Sequence, residues 1–244
     1  MRQGHKAYWS FTLYPEAAEG GGCYVPTLRS GGVGGEGPAD SERSQLEAAR
    51  RARAKLRRYA AANRLNRLWT LTYAGTGCFD QAQLRVDLAG FFRALRRELG
   101  RPLPYVWVPE WHPGGHGLHV HFAVGQYVRH RLIKQVWGRG IVHVRLIGDL
   151  PVGSGALEEA RVAAGYLAKY VSKNVGDERI PRLHRYEVGQ GFQPERVPLA
   201  AESDLAVLEH ASELMGAEPV RIWRSSEAEG WRGPPAYWCA WAGR

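Results

Sequence analysis

The chain has 244 residues, with 33 Lys and Arg against 24 Asp and Glu, a formal net charge of +9 and a pI near 9.7. That length suits one large domain or a catalytic core with appendages, and 44% hydrophobic with 23% charged residues excludes collagen-like and low-complexity classes. No run of about twenty apolar residues occurs, so no membrane span is expected, and the basic balance favours a polyanionic partner, nucleic acid first.

The first ten residues, Met1 to Ser10, lack the apolar core of a signal peptide. Cys23, Cys78 and Cys239 are far apart and without metal-ligand spacing, which predicts a reducing, cytoplasmic compartment. Residues 15–41 are rich in glycine and carry no apolar period, so they read as a flexible loop. Asp40 or Ser41 is the expected cap of a basic helix running to about Ala62. Its arginines, among them Arg50, Arg53, Arg57 and Arg58, form either a solvated face or a phosphate-contacting surface, and these four are the candidate DNA contacts.

Leu68–Tyr73 alternates apolar residues with threonine and predicts a strand. Asp80 and Gln83 have the spacing of a capping box, and Leu84, Leu88, Phe91, Phe92, Leu95 and Leu99 then recur at helical period up to Gly100 and Pro102. Tyr105–Trp111 and Leu118–Val124 predict two strands joined by a Pro-Gly-Gly turn. Val128–Trp137 predicts a short helix, Ile141–Ile147 a strand carrying His143 and Arg145, and residues 156–175 a last helix.

The order β-α-β-β-α-β plus a helix predicts an α+β fold of the split βαβ (ferredoxin- or RRM-like) kind. Its antiparallel sheet would carry helices on one face and a ligand or metal site on the other. The expected division is an N-terminal extension over 1–64, a core over 65–177 and a C-terminal extension over 178–244. Within the last, residues 200–216 look helical, while Trp223, Trp231, Trp238 and Trp241 are scattered and give no assignment.

Four of the nine histidines lie between residues 105 and 122. His119 and His121 are i and i+2 on a strand and so point to one face, and Glu110 lies across the turn where it can return beside them. Two imidazoles and one carboxylate leave positions open for water or substrate, and such a set suits Mn²⁺ or Mg²⁺, while zinc or cobalt would also bind. His112 and His116, in the turn, compete for the ligand role. A hydrogen-bonded histidine pair without metal is the plainer alternative. In the last helix Tyr166, Lys169, Tyr170 and Lys173 are spaced three and four, so they share a face beside a buried stripe of Ala160, Ala164, Leu167, Val171 and Val175. Read alone, those tyrosines are packing residues. Read with a metal site, they are phenols placed to attack a phosphodiester, helped by neighbouring ammonium groups.

These segments, in this order, resemble the HUH endonucleases, specifically rolling-circle replication initiators. Leu68–Tyr73 is similar to their first strand motif, Glu110 to His121 to their metal motif, and Tyr166 to Lys173 to the two-tyrosine nucleophile motif of small phages and some plasmids. The resemblance spans about residues 65–175. It implies site-specific nicking of single-stranded origin DNA, a 5′-phosphotyrosine, and a free 3′-OH that primes replication. It further implies Glu110, His119 and His121 as metal ligands, Tyr166 and Tyr170 as nucleophiles, and Lys169 and Lys173 as residues that position the phosphate. Thr72 is the threonine expected to support a ligand. No Gly-x-x-x-x-Gly-Lys-Ser/Thr occurs in the sequence, so unwinding is expected from a host helicase or an extruded hairpin, with a host polymerase extending the 3′ end. Tyr186 and Phe192 are candidates for stacking on bases. A relaxase or single-strand transposase with the same chemistry, or a nucleic-acid-binding module without catalysis, remain the alternatives.

Overall fold

The structure, a computed structural model, describes residues 6–27, 38–145, 155–173 and 186–243, without the side chains of 38–43, 45, 46, 172 and 173. The Lys173 side chain, residues 146–147 of the expected last strand, Val175 and residues 182–185 therefore lie outside the described part.

In chain order the elements are β1 (Tyr8–Tyr14), β2 (Glu19–Val25), α1 (Pro38–Ala62), β3 (Arg67–Tyr73), α2 (Gln81–Leu99), β4 (Tyr105–Trp111) and β5 (Leu118–Val124). Then follow α3 (His130–Trp137), β6 (Gly140–Arg145), α4 (Gly155–Lys173), β7 (Glu187–Val188), β8 (Val197–Ala201), α5 (Asp204–Met215), β9 (Arg221–Arg224) and β10 (Ala236–Ala240). Residues 38–193 form one compact unit, and the described parts of 1–37 and 194–244 form a second.

The first unit is α+β, as expected. Its sheet runs β6-β3-β5-β4-β7, every described neighbour antiparallel, which is the split βαβ order. Alternation decides the two faces. Trp69, Leu71, Trp107, Val120 and Phe122 point to one side and pack with Leu84, Leu88, Phe91 and Phe92 of α2 and Ile133 and Trp137 of α3. The other side carries Leu68, Val106, Val108 and Ala123, which are apolar and need cover as well. They receive it from Leu56, Tyr59 and Ala60 of α1 and Ala163, Ala164, Leu167 and Val171 of α4. The histidine face therefore also carries helices, where the sequence suggested helices on the opposite face alone. Because α1 shares this core, the 64/65 boundary read from sequence does not coincide with an edge of the compact unit.

Local signals behave as their chemistry dictates, with two exceptions. Asp80 caps α2 by accepting from the Ala82 N–H at 2.8 Å, but Gln83 does not reach back; its amide donates to Asp87 Oδ1 at 3.1 Å. Asp87 is buried, and its carboxylate also accepts from Tyr73 Oη at 2.9 Å and faces Arg139 Nε at 3.0 Å. A buried carboxylate with three such partners holds α2, β3 and the α3–β6 turn together. The second exception is α1, which starts at Pro38, so Asp40 and Ser41 lie inside its first turn rather than capping it.

In the second unit the sheet runs β8-β1-β2-β10-β9, with α5 beside it. Residues 19–25, part of the segment expected to be a flexible loop, form strand β2. The glycines are required by the neighbouring strand: a Cβ on Gly20 would lie 2.4 Å from the Phe11 ring, and one on Gly22 would lie 2.1 Å from the Ser10 carbonyl oxygen. Trp241, 1% exposed, donates through its indole N–H to the Ala217 carbonyl at 2.8 Å, so part of the tryptophan-rich tail is core. No helix among the described residues is long and apolar enough to cross a membrane.

Burial raises the phenol pKa of Tyr59, Tyr73 and Tyr237 above the ordinary 10.0, with the Asp87 hydrogen bond adding to the effect at Tyr73. The folded chain then holds these protons after the unfolded chain has begun to release them. Stability is complete below about pH 10 and falls as pH rises beyond it. Urea midpoints are expected to stay level up to about pH 9 and decline above about pH 10. A midpoint that is flat through that range would contradict the burial of these hydroxyls.

Candidate metal centre and tyrosine pair

Antiparallel register places Glu110 of β4 opposite His119 of β5, and Thr70 of β3 opposite His121. The three potential ligands are all buried, at 8%, 9% and 5% exposure for Glu110, His119 and His121. Nε2 of His119 and Nε2 of His121 each lie 2.8 Å from the same Glu110 oxygen, Oε2. Pro109, which has no N–H to donate, sits in β4 beyond the short stretch where β7 pairs, so the strand tolerates it.

Glu110, His119 and His121 are the one group of this kind among the described residues whose ligand atoms lie within 4.8 Å of one another, and such a cluster could bind a metal. The donor set fits. On an ion with bonds of about 2.1 Å, neighbouring ligand atoms lie about 3 Å apart, close to what the triad already has. Thr70 Oγ1 lies 3.0 Å from Nδ1 of His121. With the proton on Nδ1 donated to that hydroxyl, the Nε2 lone pair is left for a cation. The supporting threonine is thus Thr70, in place of the Thr72 expected. His112 and His116 stand outside the triad: His112 has its ring 5.2 Å from that of His119, and its Nδ1 accepts from the Gly114 N–H at 3.0 Å.

The tyrosines of α4 close over this centre. The Tyr170 ring stacks on His121 with centroids 4.0 Å apart and an interplanar angle of 19°. Tyr166 meets the same imidazole edge-on at 5.8 Å, and Tyr170 Oη donates to Tyr166 Oη at 2.6 Å. Burial, followed by the hydrogen bond to Tyr166, pushes the Tyr170 phenol above its ordinary pKa, while Arg145 pulls the other way. The side chains that sequence spacing grouped with the tyrosines do not all follow them. Lys169 is exposed, and the Lys173 side chain lies outside the described part. The cation found here is Arg145 of β6, its guanidinium carbon 4.3 Å from the Tyr166 ring centroid. Its place on the polar side of the strand was visible in the alternation of His143 and Arg145, but nothing in the sequence tied β6 to α4. On α1, Arg50, Arg53 and Arg57 are exposed and Arg58 is half-buried.

Replacing Thr70 with valine keeps the shape of the strand and removes the partner of His121 Nδ1. Mn²⁺ affinity, measured by titration calorimetry, is expected to fall about 10- to 100-fold. An unchanged affinity with an intact fold would show that the hydroxyl does not orient the imidazole.

Residues 66–175 match a family model of replication-associated proteins, the ORF2 group. The matched segment is under half of the chain and runs from β3 to α4, so it carries the triad and both tyrosines. No curated protein and no solved structure matches the chain. The sheet with its buried Glu-His-His cluster is therefore the part of this chain that is similar to replication-associated proteins.

Proposed function

We propose that the protein initiates rolling-circle replication by nicking single-stranded origin DNA with a tyrosine nucleophile and later rejoining the strand. The observation that carries this reading is the hydroxyl pair of Tyr166 and Tyr170 packed directly on a buried triad of metal-ligand type. The match to replication-associated proteins supports it independently.

The residues divide the work as follows. Glu110, His119 and His121 hold a divalent ion, Mn²⁺ or Mg²⁺, which when bound supplies Lewis-acid polarisation of a phosphate oxygen. A tyrosine oxygen attacks the scissile phosphorus in line with the 3′ oxygen. The new bond is phosphorus to tyrosine oxygen; the bond broken is phosphorus to O3′. The phenol proton is given up to solvent and the departing O3′ takes one from it, so the net products are a 5′-phosphotyrosine and a 3′-OH. Attack by a 3′-OH on that linkage reverses the step and reseals a strand. The second tyrosine, within hydrogen-bond distance of the first, can accept a second strand before the first is released. Arg145 is placed to hold the phosphate by charge-assisted hydrogen bonds, with Lys169 and Lys173 at the margin. Arg50, Arg53, Arg57 and Arg58 would contact backbone phosphates away from the cut, where they add affinity that salt weakens. A host helicase and polymerase would complete the cycle. A relaxase or transposase would use the same site; motif order argues mildly against the relaxase, whose nucleophile usually lies upstream of its histidines.

Incubated with single-stranded DNA of its own replicon and Mn²⁺, the protein is expected to form an adduct that survives denaturing electrophoresis. The adduct should vanish in Tyr166→Phe/Tyr170→Phe and in His121→Ala. Salt-sensitive binding without any adduct would move the protein to the class of binding modules. Arg145→Ala is expected to slow adduct formation about a hundredfold, with Arg145→Lys recovering part of the loss. Equal rates in all three proteins would remove Arg145 from the site.

A further inference from the structure

We propose that a pocket beside the metal centre receives one nucleobase of the bound strand, adjacent to the phosphate held at the triad; its substrate rests on the nicking reading above. The cavity measures about 570 Å³ and is walled by Phe79, Asp80 and Gln81 on one side and by Trp111, His112 and the glycines of the turn on the other. That volume lies within the range of small-ligand sites, about 300–1,000 Å³.

Phe79 is the first sign that the cavity has a use. It is 58% exposed, in the short segment before α2, and its ring is not part of the core. It faces Trp111 with centroids 6.1 Å apart and planes tilted by 37°, so the two rings lean over the opening rather than stacking on each other. Trp111 follows the ligand Glu110 directly in β4, and the His112 ring lies 5.2 Å from that of His119. A base lodged between these rings would leave its sugar and phosphate at the triad.

The walls are fixed in place before any ligand arrives. Cys78 and Gly117 form an isolated bridge, and the Leu118 N–H donates to the Cys78 carbonyl at 2.6 Å. Gly77 and Gly117 have φ of +84° and +76°; a Cβ there would lie 2.2 Å from the His116 carbonyl oxygen and 2.4 Å from the Cys78 carbonyl oxygen respectively. Such backbone-on-backbone approach is open only to glycine, and it sets the spacing of the two walls. The rim offers a carboxylate from Asp80, an amide from Gln81 and an imidazole from His112. Since Nδ1 of His112 accepts from the Gly114 N–H, its Nε2 carries the proton and donates. Aromatic walls with a polar rim match a base, which has two π faces and a hydrogen-bonding edge.

The test reads binding rather than cutting. Short fluorescein-labelled oligonucleotides tiling the single-stranded replicon are titrated, by anisotropy, into the Tyr166→Phe/Tyr170→Phe protein, which forms no adduct. Single abasic sites are then moved along the tightest binder. One abasic position is expected to weaken binding about 10- to 100-fold. Phe79→Ala on the same background should lose the same factor on the intact strand and become insensitive to that position, while Phe79→Tyr, which keeps a ring, retains affinity. Phe79 is largely exposed, so a melting curve like that of the parent is expected for both variants. Equal binding by Phe79→Ala and its parent would overturn the pocket. So would an abasic penalty that persists in full in Phe79→Ala at every position, or the absence of binding to any oligonucleotide. A Phe79 effect on binding without an adduct from the wild-type chain would keep the pocket and remove the nicking reading; an adduct without a Phe79 effect would do the reverse.

Discussion

A buried carboxylate is costly unless its oxygens are matched, and Glu110 meets that demand by setting one oxygen against two imidazole nitrogens at 2.8 Å each. The match depends on strand register. A slip of one residue between β4 and β5 would turn every side chain over and send His119 and His121 into the α2 face. What prevents the slip lies on that opposite face. Trp69 pairs with Phe122 across β3 and β5, Trp107 pairs with Phe122 across β4 and β5, and the α2 aromatics Phe91 and Phe92 pack edge-on against Phe122. Burial of these rings contributes a few kcal/mol per side chain, so the hydrophobic face fixes the geometry of the polar one.

The approach of α4 depends on small side chains. Ala160, Ala163, Ala164 and Ala168 line its buried side, and they let the helix lie close enough for Tyr170 to rest flat on His121. The stacked ring, with the hydroxyl bond to Tyr166, sets the rotation of the helix about its own axis. That rotation determines which neighbours of the tyrosines share the site and which face water. It leaves Lys169 outward.

This is also where sequence reading reached its limit. Periods of two and 3.6 made β3 through α4 legible in order, and His-x-His with a returning glutamate made the triad legible, because both follow from geometry within one or two elements. The rotation of α4 does not. Helical spacing says that Tyr166, Lys169 and Tyr170 are neighbours, but not which of them meets the sheet, and so the expected lysine gave way to Arg145 from a strand far along the chain. The choice between Thr70 and Thr72 is of the same kind, since both point to the histidine face and cross-strand register alone sets Thr70 against His121. The glycine-rich strand β2 escaped notice for another reason. Alternation is read from side chains, and here Gly20 and Gly22 are glycine so that Phe11 and the Ser10 carbonyl can occupy their space. Its sheet also joins the two ends of the chain, and pairing at that separation leaves no local trace.

A chain of net charge +9 attracts DNA in general, but its candidate centre is built around a buried anion. A phosphate brought to Glu110 alone meets like charge where water screens poorly, so the basic surface by itself cannot place a strand there. Reversing the local sign needs cations at short range. Within the described site the protein offers Arg145, and the triad offers a seat for a divalent ion whose charge exceeds that of the carboxylate holding it. The distributed arginines and the centre thus have different work. The arginines bring any polyanion to the surface, with an affinity that salt weakens. The centre accepts a phosphate only once its own charge has been inverted, and that makes the ion, the tyrosines and the strand depend on one another at a single point of the sheet.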